Sequence, residues 1–201
     1  MVDIHSRGPS DINARLARRV GGRRAELGLS LDALAARTGV SRSMLSLVER
    51  GESSATATVL EKIAGGLGLP LARLFDDPAA TPNPRARRAE QAVWRDPASG
   101  YVRRSVSPAN FPSAIRIVEV LLPPGAAVSY ETGPRVPVVH QQIWMREGRM
   151  EFTLGRQTHA LGPGDCLAMI LDAPTVFRNR TRRKCRYVVV VVTEAPRGRR
   201  S

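Results

Sequence analysis

Residues 31–51 read LDALAARTGVSRSMLSLVERG, and this spacing predicts two short helices joined by a tight turn. Leu34, Leu45 and Val48 are apolar at the positions where two crossed helices share a core, and Ala35 stands between them. A larger side chain at Ala35 would push the pair apart. Gly39 sits at the turn, where a left-handed backbone would strain any residue carrying a Cβ. Ser30 and Ser41 precede the two helices as N-caps. Helix, glycine turn and second helix form the helix-turn-helix unit, whose second helix enters the major groove of DNA. An ordinary αα-hairpin shares this outline. The agreement of Ala35, Gly39, Leu45 and Val48 with the required offsets favours the DNA-binding reading.

The exposed face of the second helix carries Ser41, Arg42, Ser43 and Ser46, short polar groups beside one forked donor. Arg42 follows the Ser41 cap, and the N-terminal residues of a recognition helix face base edges; a guanidinium matches guanine O6 and N7. Ser30 and Arg50 complete the candidate DNA contacts.

Outward from this unit, 201 residues allow one large domain or two small ones. The net charge of +13 favours a polyanionic partner. Its distribution weakens that argument, because residues 1–77 hold 11 Lys/Arg against 9 Asp/Glu and residues 78–201 hold 20 against 9. Cys166 and Cys185 lack CxxC spacing and read as reduced, packed thiols. No apolar run approaches the roughly 18 residues of a membrane span, and MVDIHSRGPSD has no signal-peptide core. A cytoplasmic protein with no membrane partner is expected.

Residues 1–9 read as a disordered start. From Asp11, a candidate N-cap, Ile12, Leu16 and Val20 line one helix face, while Arg15, Arg18, Arg19 and Arg23 line the other; Gly28 ends that helix. A fourth helix is expected near Thr58–Leu67, and Leu69, Leu71, Leu74 and Phe75 close a five-helix domain, residues 10–76. Residues 77–92, rich in proline and arginine, form a linker. Residues 93–194 follow, with strands expected at 101–106, 115–122, 126–130, 138–145, 149–154, 166–170, 174–179 and 186–193. VVVVVT in the last strand reads as fully buried. Many short strands with Pro/Gly punctuation predict a sandwich or barrel. The fold class is α+β multidomain: an all-α helix-turn-helix half followed by an all-β half.

GLSLDALAARTGVSRSMLSLVERGE and TVLEKIAGGLGLPLARLF resemble the phage-repressor (XRE) helix-turn-helix family over residues 11–76. The resemblance implies that Arg24 pairs with Glu49. It also implies a phosphate contact at position 31, where the family often has Gln; Leu31 stands there instead, leaving Ser30 to serve.

IWMREGRMEFTLGRQTHALGPGDCLAMILDAPTVFRN resembles the cupin family, a double-stranded β-barrel, over residues 110–193. Gly148, Gly164, Asp165 and Asn179 fall at the expected intervals. Counting along the two cupin motifs puts Thr175 where a metal-binding His belongs and Gln141 where a Glu belongs. His140, one residue from Gln141, faces the opposite side of its strand. His5 and His159 add no ligand set, and Glu131 is a lone carboxylate. The expectation is no metal, no cofactor and no catalytic residue.

The two resemblances together imply a bacterial one-component transcriptional regulator, a homodimer on double-stranded DNA. Its barrel would dimerise the chain and sense a small molecule. Two rival readings stay open: a barrel that only dimerises, and a metal-dependent cupin enzyme, which the missing histidines disfavour. Tyr130, Gln141, Trp144, Thr175 and Phe177 are the candidate pocket residues. Arg135, Arg146 and Arg178 favour an anionic effector.

Overall fold

The computed structural model describes residues 9–133 and 138–194. His5, Arg135 and the expected disordered start before Pro9 lie outside the described residues. Five α-helices come first: α1 (Pro9–Glu26), α2 (Leu31–Thr38), α3 (Arg42–Glu49), α4 (Ala57–Gly66) and α5 (Leu71–Leu74). α1 starts at Pro9, ahead of the Asp11 cap expected from sequence. Proline is tolerated in a first turn, where its missing N–H would have no intrahelical partner. Ser30 Oγ accepts from Ala33 N at 3.0 Å, and Ser41 Oγ accepts from Met44 N at 3.2 Å. Between those caps Gly39 ends α2 at φ 65°. Leu34, Leu45, Leu60, Ile63, Leu67 and Leu74 are fully buried where the helices cross.

Ten strands follow: β1 (Val93–Arg95), β2 (Val102–Ser105), β3 (Ile115–Leu122), β4 (Ala127–Tyr130), β5 (Val139–Glu147), β6 (Met150–Leu154), β7 (Gln157–Leu161), β8 (Cys166–Ile170), β9 (Thr175–Arg178) and β10 (Cys185–Thr193). They form a six-stranded sheet in the order β1-β2-β3-β10-β5-β8 and a four-stranded sheet in the order β4-β9-β6-β7. Alternate residues of each strand face inward. Val118, Val120, Ile143, Met145 and Tyr187 of the larger sheet, with Val128, Phe152 and Phe177 of the smaller, form the core of the β half.

The eight strands expected from sequence appear with ends shifted by two residues at most. β1 and β7 were not among them: β1 is three residues with one buried side chain, Trp94, and β7 buries only Leu161, so neither shows a readable period. The valine run of β10 corrects one expectation. Val189 and Val191 are buried, but Val188, Val190 and Val192 point outward and are half-exposed. β-Branched residues suit both faces of a central strand, so composition hid the alternation. The packed-thiol expectation holds for Cys185, which is buried, and fails for Cys166, which is exposed on the outer face of β8.

The helices sit directly on the barrel. Phe75, at the end of α5, packs on Trp94 with ring centroids 5.6 Å apart, and Trp94 meets Tyr101 edge-on at 5.9 Å. Asp96 Oδ1 accepts from Ala57 N at 2.9 Å, and Thr58 Oγ1 donates to the Ser129 carbonyl at 2.9 Å. Asp76 and Arg116 form a buried ion pair at 3.3 Å. No helix among the described residues is long and apolar enough to cross a membrane.

Candidate DNA-binding face and barrel cavity

α3 buries Leu45 and Val48 and turns Arg42 and Ser43 to solvent, with Ser46 half-exposed one turn on. Arg42 Nε lies 3.2 Å from Asp32 Oδ1. Those side chains are 65% and 76% exposed, so the pair is worth little and yields readily to a nucleic acid. Ser41 Oγ both caps α3 and lies 3.2 Å from Ser43 Oγ. Arg50 pairs with Glu52 Oε2 at 2.8 Å and donates to Ser46 Oγ. The hydrogen bond to Glu52 raises the Arg50 pKa, and Arg50 holds the Glu52 carboxyl below its ordinary range. Ser41, Arg42, Ser43 and Ser46 therefore share the N-terminus and outer side of α3, Arg50 caps its C-terminal end and bonds back to Ser46, and Ser30 caps α2.

Beneath the helices a cavity of about 70 Å³ opens between the two sheets. Gln141, Thr175, Phe177 and Tyr130 line it, four of the five residues expected from sequence. Phe177 lies flat against Tyr187, with centroids 5.7 Å apart and planes 10° from parallel, and Tyr130 meets Phe177 edge-on at 5.9 Å. Burial pushes the phenols of Tyr130 and Tyr187 well above their ordinary range, so both remain protonated.

Trp144 is the exception. It follows inward-facing Ile143 on β5, so strand alternation sends it outward; it is 43% exposed, with the Arg146 guanidinium 4.1 Å above its ring. Arg146 and Arg178 are likewise on the outside of the barrel. The cation in the cavity wall is instead Arg103 of β2, which sequence reasoning missed, together with Glu61 of α4, Tyr101 and Thr132. Alternation from Tyr101 could have marked Arg103 as inward. Its neighbour Arg104 carries the same side chain, so composition gave no sign of which arginine was buried.

The positions that hold metal ligands in cupins do not fit a metal here. Gln141 and Thr175 offer a neutral amide and a hydroxyl, and among the described residues Gln141 Nε2 finds only Met169 Sδ, at 4.0 Å. His140 points outward and bonds Glu194 Oε1 at 2.8 Å. Glu131 is spent on Lys62 Nζ at 2.7 Å, and His159 lies on β7, away from Gln141 and Thr175. The barrel punctuation is structural: buried Asn179 donates to the carbonyls of Leu122, Pro123 and Arg183, and Asp165 Oδ2 accepts from Gly162 N at 2.8 Å.

Residues 23–74 match the helix-turn-helix family HTH_3. The chain is 28% identical over 157 residues to the HTH-type transcriptional regulator SutR of Escherichia coli K12, covering 78% of this chain and 82% of that protein. It is 24% identical over 166 residues to the HTH-type transcriptional regulator PuuR of the same organism, covering 82% of this chain and 88% of that one. Among solved structures, an HTH_3 family transcriptional regulator from Vibrio cholerae superposes with a TM-score of 0.75 at 26% identity, over 94% of this chain and 100% of its own.

Proposed function

We propose that the chain is a DNA-binding transcriptional regulator, with an XRE-type helix-turn-helix domain and a cupin-like barrel, and that it works as a homodimer whose metal-free barrel senses a small molecule. One observation carries this reading: the barrel cavity is roofed by the DNA-binding half itself. Glu61 of α4 and Pro70, Leu71 and Ala72 at α5 line the same space as Gln141 and Thr175. A ligand there touches both modules, so it can favour one arrangement of helices over another. Regulation needs that differential affinity; tight binding alone shifts nothing.

The units are residues 10–76 and 93–194, with 77–92 between them. A chain that reads chromosomal DNA acts in the cytoplasm, and no catalytic role is assigned. A single helix-turn-helix contacts few base pairs, and paired half-sites require a dimer. The outer face of the six-stranded sheet supports that arrangement. Ile115, Trp144 and Ile170 are exposed there, and the half-exposed Val188, Val190 and Val192 run between them. Apolar surface of this kind marks an interaction site.

The test is selection of bound genomic fragments by the full chain, followed by measurement of its mass in solution and of operator affinity against a metabolite panel. A shared two-half-site sequence, a dimeric mass and a metabolite that changes operator affinity are expected. A barrel whose ligands leave operator affinity unchanged would reduce the cupin to a dimerisation module. Stoichiometric transition metal in protein purified without chelator would revive the enzyme reading.

A further inference from the structure

Arg103 is 7% exposed and lines the barrel cavity from β2, with its guanidinium 5.0 Å from the centroid of the Phe75 ring. Its Nε is buried without a hydrogen-bond partner, and among the described residues no carboxylate lies within ion-pair distance of it. Another buried arginine shows what is missing. Arg116, 3% exposed and with its own Nε likewise unpartnered, nevertheless has Asp76 Oδ2 at 3.3 Å and gives Nη1 to the Ser113 carbonyl. Removing a cation from water is costly unless an anion or a set of acceptors compensates it. The Phe75 ring supplies part of that compensation. The phenols nearby supply no charge, because burial keeps Tyr130 and Tyr187 protonated even though Arg103 acts to lower their pKa values. Glu61, 7% exposed, also reaches the wall and has a partner of its own.

The other groups facing the cavity are neutral: the hydroxyls of Tyr101, Tyr130 and Thr175 and the amide of Gln141. A planar carboxylate matches the guanidinium fork, and these groups can donate to its remaining lone pairs. A cavity of about 70 Å³ corresponds to roughly five water-sized spheres, which limits the guest to few heavy atoms.

We propose that the cavity binds a small organic monocarboxylate, with Arg103 as its counter-charge, and that Arg103 transmits occupancy to the DNA-binding half through Phe75. Phe75 caps α5, the helix whose N-terminal residues roof the cavity, so a guanidinium drawn toward a carboxylate moves against that helix end. This assignment rests on the sensor reading above and adds the chemical class of the ligand.

The test is calorimetric titration of the full chain at constant ionic strength with acetate, propionate and pyruvate, set against propionamide and n-propylamine. Saturable binding of a carboxylate is expected, with neither the amide nor the amine binding. Arg103→Gln should weaken that binding at least tenfold, and Arg103→Lys, which keeps the charge but loses the fork, should fall between. Thr175→Val keeps the volume of the site and should weaken binding severalfold, which preserves the test if Arg103→Gln folds poorly. The carboxylate that binds should also change operator affinity in the wild-type chain and not in Phe75→Leu. Binding of the amide or amine as tightly as the carboxylate, or carboxylate affinity unchanged in both the Arg103→Gln and Thr175→Val chains, overturns the carboxylate assignment and leaves the sensor standing. Absence of binding by every probe overturns the carboxylate assignment, and the metabolite panel against operator affinity decides the sensor separately.

Discussion

Arg24 grips Glu49 with two parallel bonds, Nε to Oε1 at 2.6 Å and Nη2 to Oε2 at 2.8 Å, while its Nη1 donates to the Leu29 carbonyl at 2.6 Å. The fork ties the last turn of α1 to the last turn of α3, so α3 is held at the end opposite Arg42. The side chains are 22% and 15% exposed, between a surface pair and a buried one. The Glu49 hydrogen bond raises the Arg24 pKa, against a smaller desolvation effect. Arg24→Ala should therefore cost about 2 kcal/mol, between the values for exposed and buried pairs. Arg24→Lys should recover little, because an ammonium cannot reproduce the fork. Urea melts of both variants check this; a loss within a few tenths of a kcal/mol for Arg24→Ala would reduce the pair to surface decoration.

Arg42 stands at the exposed N-terminus of α3 with only the weak Asp32 pair to hold it. Arg42→Ala should weaken operator binding by about 1–3 kcal/mol and relax preference at one base of each half-site. Competition against random DNA separates the alternatives. An equal loss on both duplexes would make Arg42 a phosphate contact. Asp32→Ala, which frees the guanidinium, should leave base preference intact.

Gly148 joins β5 to β6 at φ 75°, and a Cβ there would lie 2.7 Å from the Lys184 carbonyl oxygen and 2.9 Å from the Cys185 Cα. Both obstacles are backbone, so neither can rotate away. Gly148→Ala should destabilise the barrel by about 2–4 kcal/mol, combining left-handed strain with overpacking. Thermal melts followed through the tryptophans report it; a shift no larger than that of an exposed-loop Gly→Ala control would show that the hairpin relaxes.

The two cysteines should behave differently. Cys166 is exposed, whereas burial pushes the Cys185 thiol up from its ordinary value of 9.0 to about 11. A thiol reagent should titrate one group in the native chain and two in denaturant. The pH dependence follows from the same shift. The unfolded thiol ionises near 9 and the folded one near 11, so the unfolded state loses its proton first. The Cys185 contribution is thus complete below about pH 9 and declines as pH rises toward 11. Cys185→Ala should flatten that alkaline decline; an unchanged slope would assign it to other groups.

The helical half was legible because its signals are local. Ser30, Gly39 and Ser41 act on their own neighbours within four residues, and each does in the structure what its type dictates. The barrel was legible in its punctuation and its strands, but less so in its facing. Trp144 and the outward valines of β10 carry apolar side chains on a half-solvated sheet, where composition cannot report direction. Gln141 and Thr175 were found by counting from Gly148 and Gly164. No motif counts to Arg103, which only alternation from Tyr101 could mark as inward, and Glu61 reaches the cavity only when α4 docks on the barrel, a contact between residues far apart in sequence.

That docking has a polar fastening that can be cut without touching either the cavity or the DNA face. Asp96, 3% exposed just beyond β1, accepts from Ala57 N at Oδ1 (2.9 Å) and from Ser99 N at Oδ2 (2.8 Å). Thr56 Oγ1 already caps α4 by accepting from Val59 N at 3.3 Å, so Asp96 satisfies a second free N–H of the same helix from across the interface. Its negative charge also suits the positive end of α4. Asp96→Ala leaves both the α4 N–H and the Ser99 turn without an acceptor in a buried setting. A loss of about 2–4 kcal/mol is expected, from an unsatisfied buried donor plus a lost charged bond. Asp96→Asn keeps one carbonyl acceptor and should cost about half as much. If the helices are held to the barrel here, amide exchange in Asp96→Ala should rise selectively at Ala57–Leu60 and around Ser99, with α2 and α3 still protected. Uniform exchange over the whole chain would instead mean that Asp96 stabilises the fold globally, with no separable joint between the DNA-binding half and the barrel.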